Sequence, residues 1–200
     1  IGGRVVPSFT RNWFKKSGGP EIAGPMGGFD RAVLLATAVA LTGWVTVGEN
    51  QAVGAVLAVA GLLNLARLAR WRGWATLGEG LVTILHVGYL WLAVGLMLLG
   101  VSMLQEAMTT AAALHMLTLG AMGTMTLAVM TRAILGHTGH DLHAGPGTMA
   151  IYAFVTVAMV LRVAYAFAPS VDLIWVSAGF WTAAFGLFVW IYAPLTWRAR

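Results

Sequence analysis

The stretch that decides the fold is Ala113 to His140, ALHMLTLGAMGTMTLAVMTRAILGHTGH. Between His115 and Leu135 it is apolar or small apart from threonines and Arg132. An α-helix over those residues rises roughly 30 Å at about 1.5 Å per residue, the thickness of a hydrocarbon core. A histidine therefore stands at one end of a membrane-spanning helix, and a glycine-rich histidine loop stands at the other. Leu119, Met122, Thr126 and Val129 follow His115 along one face. Gly120, Thr124, Ala128 and Thr131 share the opposite face, and such small residues let a second helix approach closely.

The rest of the chain is of the same kind. Hydrophobic residues make up 59% of the 200 positions and charged residues only 10%. Mean hydropathy is +0.81. That composition calls for several segments buried in lipid rather than one soluble core. At about 20 apolar residues per span there is room for about six. They are expected at Ala32–Val47, Ala52–Leu68, Leu81–Val101, Ala111–Leu135, Thr148–Phe167 and Leu173–Ala193. The fold class is thus all-α, a polytopic transmembrane helical bundle. Residues 1–31 read as a basic cytoplasmic loop, either a plain juxtamembrane one or one whose Pro7–Asn12 stretch docks against the bundle, 32–197 as the six-helix membrane region and 198–200 as a cytoplasmic tail.

Charge orients this arrangement. Arg4, Arg11, Lys15, Lys16, Arg31, Arg67, Arg70, Arg72, Arg132, Arg198 and Arg200 fall on one side, whereas the opposite loops carry Glu49, Glu106 and Asp172. By the positive-inside rule both termini are expected in the cytoplasm. Trp71, Trp74, Trp190, Tyr192 and Trp197 lie near the basic loops and read as interfacial anchors. The net charge of +5 does not point to nucleic acid, because the charge sits beside membrane spans. With no cysteine, thiolate-bound zinc, iron–sulfur clusters and covalent c-type haem are excluded, and any metal must take His, Met or oxygen ligands.

Five positions carry the candidate chemistry. His86 lies roughly 7 Å inside the third span, and an ionisable residue at that depth should face the protein interior. Its plain alternative is a neutral imidazole bonded to a neighbouring helix. His115 sits at the far end of the fourth span, so roughly 20 Å along the membrane normal separates it from His86. The two cannot bind one metal ion. His137 and His140, with His143, recur among glycines in a loop that could gather imidazoles around copper, zinc, iron or nickel. Arg162 lies inside the fifth span and requires an acceptor, for which Glu106, Asp172, helix-end carbonyls or a bound anionic group qualify. Arg132 is one turn from the membrane edge and can reach headgroups. These features also fit a transporter or channel with a His- and Arg-lined proton or anion path.

The run HMLTLGAMGTMTLAVMTRAILGHTG from His115 to Gly139 resembles the C-terminal half of the NnrS family. GGRVVPSFTRN from Gly2 to Asn12 and HVGYLW from His86 to Trp91 agree with it. The resemblance implies a haem- and copper-containing bacterial inner-membrane protein linked to nitric oxide metabolism or nitrosative stress. It implies a whole chain with about twice as many spans, this sequence being the second half. On that footing His86, His115 and Arg162 are candidates for holding non-covalent haem, a propionate falling to Arg162. His86, His115, His137 and His140 are candidates for metal. His140 stands where arginine is expected in the family, and His143 belongs to none of its motifs.

Overall fold

The computed structural model describes residues 1–22, 24, 26–105 and 110–198, the side chain of residue 198 excepted. Over them the chain forms one short helix and six long apolar ones. The short helix is α1 (Val5–Ser17), and the long ones are α2 (Gly28–Val47), α3 (Gln51–Arg70), α4 (Gly80–Ser102), α5 (Thr110–His137), α6 (Pro146–Phe167) and α7 (Val171–Trp197). All six are long and apolar enough to cross a membrane, so the chain is a multi-pass membrane protein. Each expected span coincides with one of them. The expected spans start a few residues late, because the true starts are set by capping groups. Asn50 caps α3 by accepting from the Val53 N–H at 3.0 Å, Glu79 caps α4 by accepting from the Leu81 N–H at 3.0 Å, and Pro146 opens α6.

Residues 1–31 differ from expectation. Instead of a plain loop they contain α1, whose Val6, Thr10 and Phe14 are buried. Pro7 falls in its first turn, where no backbone N–H is needed. Gly18 at φ 70° closes the helix, a left-handed backbone that suits glycine.

Helix α4 is the hub. It packs against α1, α3 and α5, while α2 flanks α3, and α6 and α7 pair with each other across α5. Backbones of α3 and α4 touch directly: a Cβ on Gly61 would overlap the Met97 main chain, and one on Gly100 that of Ala58. Such close contact is how apolar helices associate where water supplies no driving force. Leu57, Ala60, Leu96 and Leu99 fill the core between α3 and α4. Leu85, Leu127, Ile151 and Val155 fill the core between α4, α5 and α6. The outer faces stay apolar and open, as at Leu35, Val45 and Trp190.

Two local expectations change. Within α5, residues Met116–Gly123 form a π-helical segment rather than regular α-helix. Its i→i+5 bonding fits more residues into each turn, so the constant-rise arithmetic does not hold there. Gly120 lies against Trp91, and Gly123 lies under the Trp181 ring, so the small-residue face packs as its composition requires. Second, Trp71 and Tyr192 are not interfacial anchors. Both are 1% exposed, Trp71 tilted against Tyr89 with ring centroids 4.8 Å apart and Tyr192 hydroxyl-bonded to Thr148 at 2.7 Å. Trp74, Trp190 and Trp197 do remain on the surface.

Candidate functional site

At one end of the bundle α1, α3 and α4 hold His86. The imidazole is 6% exposed, and its Nε2 lies 2.8 Å from the Thr10 hydroxyl. That hydroxyl spends its single hydrogen on the Val6 carbonyl at 2.8 Å. Nε2 of His86 must therefore be the donor to Thr10, which leaves Nδ1 with a bare lone pair. Nδ1 is buried with no hydrogen-bond partner among the described residues, and Gly73 covers it so closely that a Cβ there would reach within 2.6 Å. Beside the ring lies an apolar cavity of about 390 Å³ lined by Leu65, Leu68, Trp74, Leu77 and Leu90.

One turn further along α4, Tyr89 joins a polar network that the sequence did not disclose. Arg67, fully buried, donates from Nε to Asp30 at 2.7 Å, from one terminal nitrogen to Tyr89 Oη at 3.1 Å and to the Gly2 carbonyl at 3.2 Å, and from the other to the Gly3 carbonyl at 2.9 Å. Its guanidinium lies 4.9 Å from the Trp71 ring centroid. Tyr89 donates to Asn64 Oδ1, and Asn64 donates to Thr37 and to the Ala60 carbonyl, both at 2.8 Å. The pair Asp30–Arg67 is thus buried with four of the five guanidinium N–H groups bonded, close to the condition under which a buried ion pair is tolerated. It pins the glycines of the amino end to α2, α3 and α4. Asn64 and Arg67, one turn apart inside an apolar span, were the available signal.

Glu79 is the second buried acceptor outside the expected set. Its carboxylate takes the Leu81 and Ala144 N–H groups, both at 3.0 Å, and His143 Nδ1 at 2.9 Å. The loop after α5 is thereby tied to the start of α4. His143 is the loop histidine held in this way. His137 is exposed, and His140 is exposed with Nδ1 2.8 Å from the Thr138 hydroxyl.

The other end is different. His115 Nδ1 bonds the Ala111 carbonyl one turn back. A carbonyl can only accept, so Nδ1 carries the hydrogen and Nε2 keeps its lone pair. Imidazoles that bind metals are commonly fixed this way, the second nitrogen donating to a backbone oxygen. His115 and Arg162 line one cavity of about 200 Å³, closed by Ala111, Ala112, Tyr165 and Pro169. The Arg162 guanidinium is 5.5 Å from the Tyr165 ring centroid and forms no ion pair among the described residues. Glu106, one expected partner, lies outside them. So the structure brings His115 and Arg162 together and puts His86 on a separate cavity.

The donor sets can be compared with the two groups that the resemblance implies. For haem, His115 Nε2 would offer the iron a nitrogen ligand, and Arg162, without an ion pair among the described residues, would offer N–H donors to a carboxylate, which fits. The cavity is smaller than the roughly 300–1,000 Å³ of cofactor-sized pockets, so it would enclose one edge of such a group. For copper the fit fails: among the described residues no three His, Cys, Asp or Glu side chains group closely enough to hold an ion.

A family model described as NnrS protein matches residues 1–200. No curated protein and no solved structure matches the chain.

Proposed function

This chain belongs to the NnrS family, and from that premise we propose that it holds the haem of a membrane protein acting in nitric oxide metabolism or resistance to nitrosative stress. The observation that carries the reading is His115 Nε2, left with its lone pair by the Ala111 carbonyl, on a cavity shared with Arg162. His115 would supply a nitrogen ligand to the iron and Arg162 would pair with a propionate carboxylate, while Tyr165 backs the guanidinium. A haem bound there supplies an iron centre able to take up a diatomic ligand such as nitric oxide. No step is assigned to copper.

The basic ends of the helices support a cytoplasmic position for both chain ends and a periplasmic one for the His115 cavity. The experiment is an absorption spectrum of the chain purified in detergent and supplied with haem. A Soret band is expected that disappears in His115→Ala, returns with added imidazole, weakens in Arg162→Gln and survives in His143→Ala. A band unchanged in His115→Ala would overturn the assignment. Proton or anion flux in liposomes from protein that takes up no haem would favour a transport path instead.

A further inference from the structure

A second cavity, of about 390 Å³, lies between α1 and the end of α5 and is lined by Asn12, Trp13, Lys15, Lys16, Glu79, Arg132 and Leu142. Its charges do not cancel. Lys15 and Lys16 close the last turn of α1 and form no ion pair among the described residues. Arg132 rests its guanidinium 4.0 Å from the Phe9 ring centroid and likewise has no carboxylate within ion-pair distance. Glu79, the single anion in the lining, already accepts from Leu81, Ala144 and His143. Three cations therefore face one carboxylate whose oxygens are taken.

The geometry points to a site for the phosphodiester headgroup of an anionic membrane lipid. Three observations favour a lipid over a free anion. The cavity sits at the end of a membrane-spanning helix and under α1, whose apolar side is buried in the bundle. Its rim carries Trp13 and the exposed Leu142, which suit the glycerol and upper acyl region. Finally, Phe9 orients the Arg132 guanidinium, whose planar donors match two phosphate oxygens. Lys15 and Lys16 add point charges from the opposite wall, and a bound headgroup fastens α1 to α5.

The test uses the full chain in nanodiscs of phosphatidylcholine with a minor share of phosphatidylglycerol, released and weighed by native mass spectrometry. Selective retention of phosphatidylglycerol is expected. The preference should fall roughly fivefold in Arg132→Gln, and by more in Lys15→Gln combined with Lys16→Gln. The lysine variant changes only exposed side chains and keeps the test valid if Arg132→Gln unfolds. Arg31→Gln, also exposed but outside the cavity, should retain the lipid. Equal retention of the two lipids, or equal loss in Arg31→Gln, would overturn the proposal. Release of phosphatidylglycerol by millimolar inorganic phosphate would also overturn it, assigning the cavity to a free anion.

Discussion

Around His86 nearly every polar group is matched, from Thr10 on Nε2 to the Arg67 network one turn along, and one lone pair is left over. Around His115 the inventory is sparse: one backbone bond fixes the ring, and the nearby arginine has no carboxylate partner among the described residues. The first region behaves as a joint and the second as a socket. Polar groups in a low-dielectric interior stabilise a unique arrangement when all are paired. Donors left without partners at a cavity offer binding energy to something else. If that distinction is right, damage at the first end should cost folding, and damage at the second should cost ligand.

The largest effect is expected at Asp30. Asp30→Ala leaves Arg67 charged, buried and without its carboxylate, at a cost of about 3–5 kcal/mol. Thermal unfolding in detergent should show most of the native population lost. Converting both, Asp30→Leu with Arg67→Leu, should recover much of that loss, since an apolar pair of similar size needs no counter-charge. A double variant as unstable as the single one would mean that the carbonyl bonds of Arg67 to Gly2 and Gly3, rather than the ion pair, hold the joint.

Next in size is Gly73→Ala. The added methyl would fall within 2.6 Å of His86 Nδ1, and overpacking of this kind costs about 1–3 kcal/mol. Gly43→Ala is the matched control, because nothing lies within 4 Å of its would-be Cβ. That change at a half-buried helix position with open space around it should be neutral or slightly stabilising. Similar melting shifts in the two variants would show that Gly73 is not chosen for the histidine.

Thr10→Val is a smaller change of the same sort. It keeps the shape and removes the acceptor of His86 Nε2–H, leaving both imidazole nitrogens unpaired. About 1–2 kcal/mol is expected from one stranded buried donor, read as a lower melting temperature. No change would indicate that a water replaces the hydroxyl.

Much of the framework was legible from hydropathy alone, because a span needs only length and apolarity to be recognised. Burial of His86 was legible too, since a histidine at that depth has few other choices. The joint was not. An arginine near a helix end reads as a snorkelling or positive-inside residue whether or not it is buried, and what buries Arg67 is Asp30, 37 positions away in sequence. Helix α1 escaped notice because its lysines and arginine hide a short buried stripe of Val6, Thr10 and Phe14. His143, which no motif singled out, gained a partner only because the loop returns to Glu79. Its neighbours His137 and His140 show the reverse, as regular spacing in a loop does not set a shared direction for side chains. The pairing of His115 with Arg162 lay between these cases: both were expected in the same half of the membrane, but a common cavity is a matter of helix rotation.

The smallest expected effect on folding, and the most informative, is at His115. Its side chain has one hydrogen bond, to its own helix, and lines a cavity rather than filling a core. His115→Ala should therefore move the melting temperature by no more than an ordinary surface change, within about 0.5 kcal/mol. If the same variant loses haem while Thr10→Val, although less stable, retains it, stability and ligand binding are separated between the two ends. A melting loss in His115→Ala as large as that of Thr10→Val would make the ring a structural element of the π-helical turn that follows it. The free Nε2 would then be incidental, and the haem assignment would lose the feature that supports it.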